Sequence, residues 1–461
     1  MRVARRVLRV AGLAGSLLCP FPAVCGDLAQ RPNLLGDMGG LRTSLASRGV
    51  TLGLTETSEV LGNLTGGVKR GAAYDGLTQL TLGVDTSKAF GWDGGVFNVS
   101  ALQIHGRNLS VDNLVNLQTA SGTTADRSTR LWELWFQQSF DGGKADLRVG
   151  QQSLDQEFIV SQYSGLYLNT MMGWPMLPSA DLYAGGPAYP LSSLGVRLQS
   201  RPTGALTLLA GVFDDNPPGG AFGDDSQRRG REAYGARFNL NTGALLIGEV
   251  QYSTDASEDA VRRCDSGSCG LPGTWRLGAW YDSARFADQR FDAAGLSLAN
   301  PASTGVALTH RGNFSIYAVV DQAVWRDPAG SRSIGVFARI MGAPGDRNPI
   351  DLSVNAGIDI KAPFPGRGDD SFGIGYGLAH VSPRLAVLDR DAVSFTGTPY
   401  PVRSAEHFAE LTYQFQVAPW WILQPDLQYV WNPGAGIPDP RDPTRRIADE
   451  LVVGLRSVIT F

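Results

Sequence analysis

The sequence predicts an all-β fold, an antiparallel transmembrane barrel, from three observations. The C-terminal strand separates apolar from polar residues, and the N-terminus reads as an export leader. Between them, strand pairs joined by short turns alternate with long polar connections.

In the C-terminal stretch from Leu451 to Phe461, one parity carries Leu451, Val453, Leu455, Ile459 and Phe461. The other carries Gly454, Arg456 and Thr460. Successive side chains point to opposite faces of a strand, so one face suits lipid and the other accepts a charge. About ten such residues cross a bilayer when the strand is tilted. Bacterial outer-membrane barrels typically end on an aromatic residue, so Phe461 is the expected handle for the barrel-assembly machinery.

Arg2, Arg5, Arg6 and Arg9 precede an apolar run from Val10 to Leu18, followed by Pro20, Pro22 and small residues to Gly26. This reads as a Sec-type signal peptide over 1–25, cleaved near Ala23-Val24-Cys25. The apolar run is too short to span a membrane. Neither Cys19 nor Cys25 has the small-residue context of a lipidated leader. Removing four arginines and no acid takes the net charge from −4 to −8, which gives nucleic acid no basic surface.

With a mean hydropathy of −0.10 and no later apolar run of helical spanning length, the crossing elements must be strands. The 57 glycines suit tight turns and crowded walls, and 13 tyrosines with 10 tryptophans suit interfacial girdles. Trp92, Trp132, Trp420, Trp421 and Trp431 are the girdle candidates. No composition break follows residue 30. Residues 49–461 therefore read as one barrel, and 26–48 as a periplasmic lead-in, helical or irregular around Leu34–Leu41. Cys264 and Cys269 survive processing. In an oxidising compartment their spacing suits a small disulfide-closed loop, with too few ligands nearby for a metal.

The first strand pairs flank Asp93-Gly94, Asp141-Gly142-Gly143, Pro202-Thr203-Gly204 and Asn241-Thr242-Gly243, the last joining Glu232–Leu240 to Ala244–Thr254. Such sequences supply the positive φ that hairpins need. Later pairs meet at Ala329-Gly330, Pro365–Gly368 and Ala418-Pro419. The long connections are 106–127, 153–192, 214–229, 255–273, 382–402 and 432–446. Short periplasmic turns and long extracellular loops are the expected arrangement. About seventeen candidate strands result, an odd number. Directions counted from the two termini conflict between 255 and 312. Either a strand hides near Asp292–Ala299 or one candidate is not a strand, so sixteen and eighteen both stand.

Alternation also sorts the faces. Glu133, Trp135, Gln137 and Ser139 oppose Trp132, Leu134, Phe136 and Phe140. Asp146, Arg148 and Gly150 oppose Leu147 and Val149, and Arg197 opposes Val196 and Leu198. Arg237 with Asn239, Glu410 with Thr412, and Asp426 with Gln428 repeat the pattern. Charges cost several kcal/mol on the lipid face and little in a watery lumen. An anion pore wants ladders of basic residues, yet lysines are scarce and the inward arginines are interleaved with acids. Neutral polyhydroxyl solutes want side-by-side donors and acceptors plus an aromatic plane, which Trp135 or Trp280 could supply.

Several segments go further: Glu133-Leu-Trp-Phe-Gln137-Gln138, Leu147-Arg-Val-Gly-Gln151 with Asp155-Gln-Glu157-Phe158, and Tyr189-Pro190 leading into Leu194-Gly-Val-Arg197. So do Asn313-Phe-Ser-Ile-Tyr317 with Asp321-Gln322, the stretch from Glu410 to Trp421 with Gln424-Pro-Asp426 and Asn432-Pro433, and Gly49 through Gly67. Over nearly the whole mature chain they resemble the carbohydrate-selective porins of the OprB type. That resemblance implies a sixteen-stranded pore for passive diffusion of mono- and small oligosaccharides, without cofactor or energy coupling. Cys264 and Cys269 look like a departure from it. A general or anion-preferring pore is the first alternative. A barrel enzyme is the second, although His105, His310, His380 and His407 have no serine motif beside them, and Gly62–Gly67 opens no helix.

The connection from Ser153 to Ser192 carries Asp155, Glu157, Tyr163, Tyr167, Asn169, Trp174, Asp181 and Tyr183. A loop this long is usually functional. It is expected to bend into the pore, setting Asp155 and Glu157 against Arg148 and Arg197 beside Glu133, Trp135 and Gln137. The expected partners are carbohydrate solutes and outer-membrane lipid with lipopolysaccharide. Monomer and homotrimer stay open.

Overall fold

The computed structural model describes residues 28, 30–222, 234–236, 238–254, 270–327 and 331–461. The leader and Cys264 with Cys269 lie outside the described residues. The early strands are β1 (Val50–Thr65), β2 (Gly71–Asp85), β3 (Gly95–Gly106), β4 (Ser128–Phe140), β5 (Ala145–Gln152) and β6 (Ser193–Ser200). Next come β7 (Leu206–Asp214), β8 (Ala244–Ser253), β9 (Gly273–Asp292), β10 (Ala307–Arg326), β11 (Ser333–Gly342) and β12 (Ile350–Lys361). The last are β13 (Ser371–Val381), β14 (Ala405–Ala418), β15 (Trp421–Trp431), β16 (Pro438–Asp439), β17 (Asp442–Arg446) and β18 (Glu450–Thr460). Sixteen of them close into one antiparallel barrel, and β16 with β17 forms a separate small ribbon. Closure leaves no edge strand. It is made by β1 against β18, with Glu59 opposite Arg456 and the Arg456 Nε donating to the Glu59 carboxylate.

Successive strands run antiparallel, so the connections alternate between the two ends. The turns after β2, β4, β6, β12 and β14 share one end with Phe461 and with the helix Leu41–Ser47. There Arg42 donates to the carbonyl oxygens of Leu52, at 2.9 Å, and of Phe461. The long connections after β3, β5, β7, β9, β13 and β15 share the other end, and the helix Pro383–Thr396 lies among them.

The predicted strand Glu232–Leu240 is corrected by the barrel register. Its described residues 234–236 and 238–240 are irregular, and β7 pairs directly with β8 from Leu206↔Tyr252 to Asp214↔Ala244. The alternation that suggested a strand still sorts the faces: Asn239 is buried, while Phe238 and Leu240 are exposed. Without a free strand edge to pair with, alternation alone makes no ladder. Losing this candidate gives sixteen strands and moves the β8–β9 connection to the short-turn end. Asp292–Ala299 contributes one isolated bridge, Phe291↔Ser297, and no strand.

Trp132 is the second correction. A bulge in β4 opposite Ser100 and Ala101 inserts one residue and shifts the parity. Trp132 leaves the lipid face, packs on Leu102 and Ile104, and meets the Tyr189 ring edge-on at 6.2 Å.

The lumen is not an empty tube. Phe158, Ile159, Met171, Met172 and Leu177 from the β5–β6 connection form one apolar cluster with Phe213, Trp280, Tyr317, Phe337 and Phe408 of the wall. Fully burying such side chains stabilises by about 1.5–3 kcal/mol each. Glycines on the wall make the room. A Cβ on Gly375 would lie 2.7 Å from Met172 Cε, and one on Gly373 would lie 3.0 Å from the Tyr167 ring.

Candidate pore constriction

Strand register puts Gln137, Arg148 and Arg197 in one row across β4, β5 and β6. Arg148 and Arg197 are direct neighbours, and like charges in that position repel unless anions divide them. Glu157 supplies the division. Just after β5 the chain turns back, and its carboxylate accepts from Arg148 Nη2 at 3.0 Å and from Arg197 Nε at 2.6 Å and Nη2 at 2.9 Å. Asp146 takes Arg197 Nη1, and Gln137 Oε1 accepts from both guanidinium groups, at 2.8 Å and 3.0 Å. Arg148 also lies over the Trp135 ring, 3.9 Å from its centroid, a cation–π distance.

The sequence-predicted residues therefore separate into two groups. Arg197 is 1 % exposed and acts as an internal strut, whereas Arg148 at 14 % and Glu157 at 21 % still meet solvent. Asp155 does not join the arginines. Its carboxylate accepts from Ser153 Oγ at 2.6 Å, Tyr189 N at 3.0 Å and Gln156 Nε2 at 3.2 Å, closing the segment on itself, and burial pushes its pKa up. Glu133 accepts from Ser153 N at 3.1 Å and ties the start of the segment to β4. Trp280 is buried in the apolar cluster and offers no open face.

What sequence reading missed is the set of wall charges that hold the segment's backbone. Arg339 on β11 is fully buried and donates to the carbonyl oxygens of Ile159, Met171, Met172 and Gly173 and to Asn355 Oδ1. Glu249 accepts from Ile159 N at 2.9 Å, and Asp321 from Gln162 N at 3.1 Å and Arg276 Nη1 at 2.7 Å. Glu410 accepts from Leu168 N and Asn169 N. Ionisable groups that would be expensive in a dry interior are accommodated here because each is hydrogen-bonded to the segment's backbone. The signal was available for Arg339, since it stands at an inward parity within an apolar strand.

A closed sixteen-stranded barrel with a polar, sign-balanced row beside an infolded segment defines the class: an outer-membrane porin. A model of the carbohydrate-selective porin, OprB family, matches residues 69–461, and the chain belongs to that family. It is a carbohydrate-selective channel of the bacterial outer membrane, not an enzyme. Porin B of Pseudomonas aeruginosa is 26 % identical over 447 residues, covering 93 % of this chain and 91 % of that protein. The putative porin QuiX of Acinetobacter baylyi is 24 % identical, covering 94 % of each. The high pH structure of Pseudomonas putida OprB superposes with a TM-score of 0.81 at 25 % identity, covering 94 % of this chain and 99 % of that one.

Proposed function

We propose that mono- and small oligosaccharides diffuse passively past a constriction formed by the segment 153–192 and the wall residues Glu133, Trp135, Gln137, Arg148 and Arg197. The observation that carries this reading is Glu157 shared between Arg148 and Arg197. Two arginines face two carboxylates, Asp146 and Glu157, so the row favours neither ion sign. It offers charged donors and acceptors side by side, which suits vicinal hydroxyls. The aromatic plane of Trp135 sits beneath Arg148, and we assign it the apolar face of a sugar ring when Arg148 swings aside. Within this reading residues 1–25 are a cleaved leader, 26–48 a periplasmic lead-in, and Phe461 the assembly handle.

Liposome swelling with sugars of graded size, run beside planar-bilayer conductance, tests the reading. Glucose should enter readily, and W135A and R148Q should weaken sugar block of the ion current. Strong anion selectivity blocked by phosphate but not by glucose would replace it with an anion-pore reading.

A further inference from the structure

On the outside of the barrel, Arg285 of β9 and Arg311 of β10 stand directly opposite each other, both exposed. They share the outward parity of Tyr281 and Phe314. Like charges opposed across a ladder are destabilising. No described group forms an ion pair or side-chain hydrogen bond with either guanidinium. The Arg148–Arg197 row in the lumen is divided by the Glu157 carboxylate, and this one is divided by no described carboxylate.

The surroundings say what divides it. β8 begins at Ala244, whose N–H donates to Ser283 Oγ at 2.9 Å, so β9 rises beyond its neighbour and leaves a notch. Asn241, Thr242, Tyr281 and Ser283 line this notch, about 620 Å³, with the two arginines. Directly below lies an apolar trench of about 660 Å³, floored by the small outward residues Ala210, Gly248 and Ala279. These three are successive cross-strand neighbours. Larger side chains bank the trench, among them Val212, Leu246, Phe314 and Ile316. Tyr281 lines both spaces, so notch and trench are continuous. From Ala279 to Arg285 is about 20 Å along a tilted strand. The notch opens at the long-loop end, which faces outward in an outer-membrane barrel.

We propose that this face binds a phosphorylated, acylated glycolipid of the outer leaflet, of the lipid A type. A phosphate sits between Arg285 and Arg311, held by charge-assisted hydrogen bonds from the two guanidinium groups and a hydroxyl hydrogen bond from Ser283, while the Thr242 hydroxyl stays committed to Asp215. One acyl chain lies in the trench, where the small residues let it approach the wall. The positive pair supplies the charge complement and the trench supplies the apolar surface, in the order that a headgroup above an acyl chain requires.

Delipidated porin in detergent is titrated with bis-phosphorylated lipid A and with its dephosphorylated form, and binding is read by native mass spectrometry. The phosphorylated lipid should bind and raise the temperature of heat-modification, and the dephosphorylated form should do neither. R285Q/R311Q should weaken binding roughly thirtyfold, as expected for two arginines at an anionic lipid surface. A279L should weaken it by filling the trench, with both arginines intact. Glucose flux should be unchanged in both variants, so the result is independent of the pore reading. Equal binding of the dephosphorylated lipid, or wild-type affinity in R285Q/R311Q, overturns the proposal. So does a lipid-free dimer that A279L dissociates, which would make the face a contact between copies.

Discussion

Arg339 on the wall reaches the carbonyl oxygen of Met171 in the inner segment at 2.6 Å, across 168 residues of sequence. One planar guanidinium holds four backbone carbonyls of a segment without regular ladders of its own. Replacing it with methionine should leave those buried acceptors unpaired, at about 1–3 kcal/mol for each one that water cannot reach. R339M should lower the heat-modification temperature and open 160–185 to protease. R339K should not restore protection, because three donors on a point charge cannot reproduce the fork.

Glu157 and Asp146 together balance Arg148 and Arg197, so E157Q leaves the row one positive charge in excess. The reversal potential in a salt gradient should move toward anions. R148Q should move it toward cations, and the double variant should return near wild type. Sugar block should weaken about tenfold in E157Q, the effect of losing one charge-assisted hydrogen bond. An unchanged reversal potential in both single variants would place the constriction elsewhere.

Burial raises the pKa of Asp181 well above the usual carboxylate range; its Oδ1 accepts from Ile350 N at 3.3 Å and its Oδ2 has no partner. A carboxyl with a raised folded pKa is held neutral, so its contribution favours the docked segment at low pH. That contribution is lost as pH rises from the ordinary carboxylate value to the raised one. Protease sensitivity of the segment should therefore increase with pH over that window. D181N should flatten the dependence.

Gly375 faces the Met172 and Tyr167 side chains with no space for a Cβ. G375L should cost about 1–3 kcal/mol through overpacking and displace the segment. The barrel itself should still migrate as a folded species on detergent gels. Conductance of single channels reads the displacement.

The barrel was largely legible because alternation and turn chemistry are local properties. Paired faces such as Gln137, Arg148 and Arg197 came from parity alone, and register then made them neighbours. Legibility failed where a partner strand decides the outcome. Phe238 and Leu240 alternate with Asn239 as a strand would, yet β7 and β8 already pair with each other. Trp132 fails for a related reason, since a single bulged residue reverses parity without any mark in composition. Of the candidate site, Glu157 and its arginines were readable. The anchoring roles of Arg339, Glu249 and Glu410 were not, because each contacts backbone that no periodicity describes.

The apolar cluster inside the lumen bears on the order of biosynthesis. Its inner half is complete once Ser192 has been made, but its outer half arrives on strands as late as β15, with Phe408 and then Val430. Until then Phe158, Met172 and Leu177 have only part of their partners. A chain cut short before β14 therefore yields a quality-control substrate rather than a narrower pore, with greasy residues turned toward water.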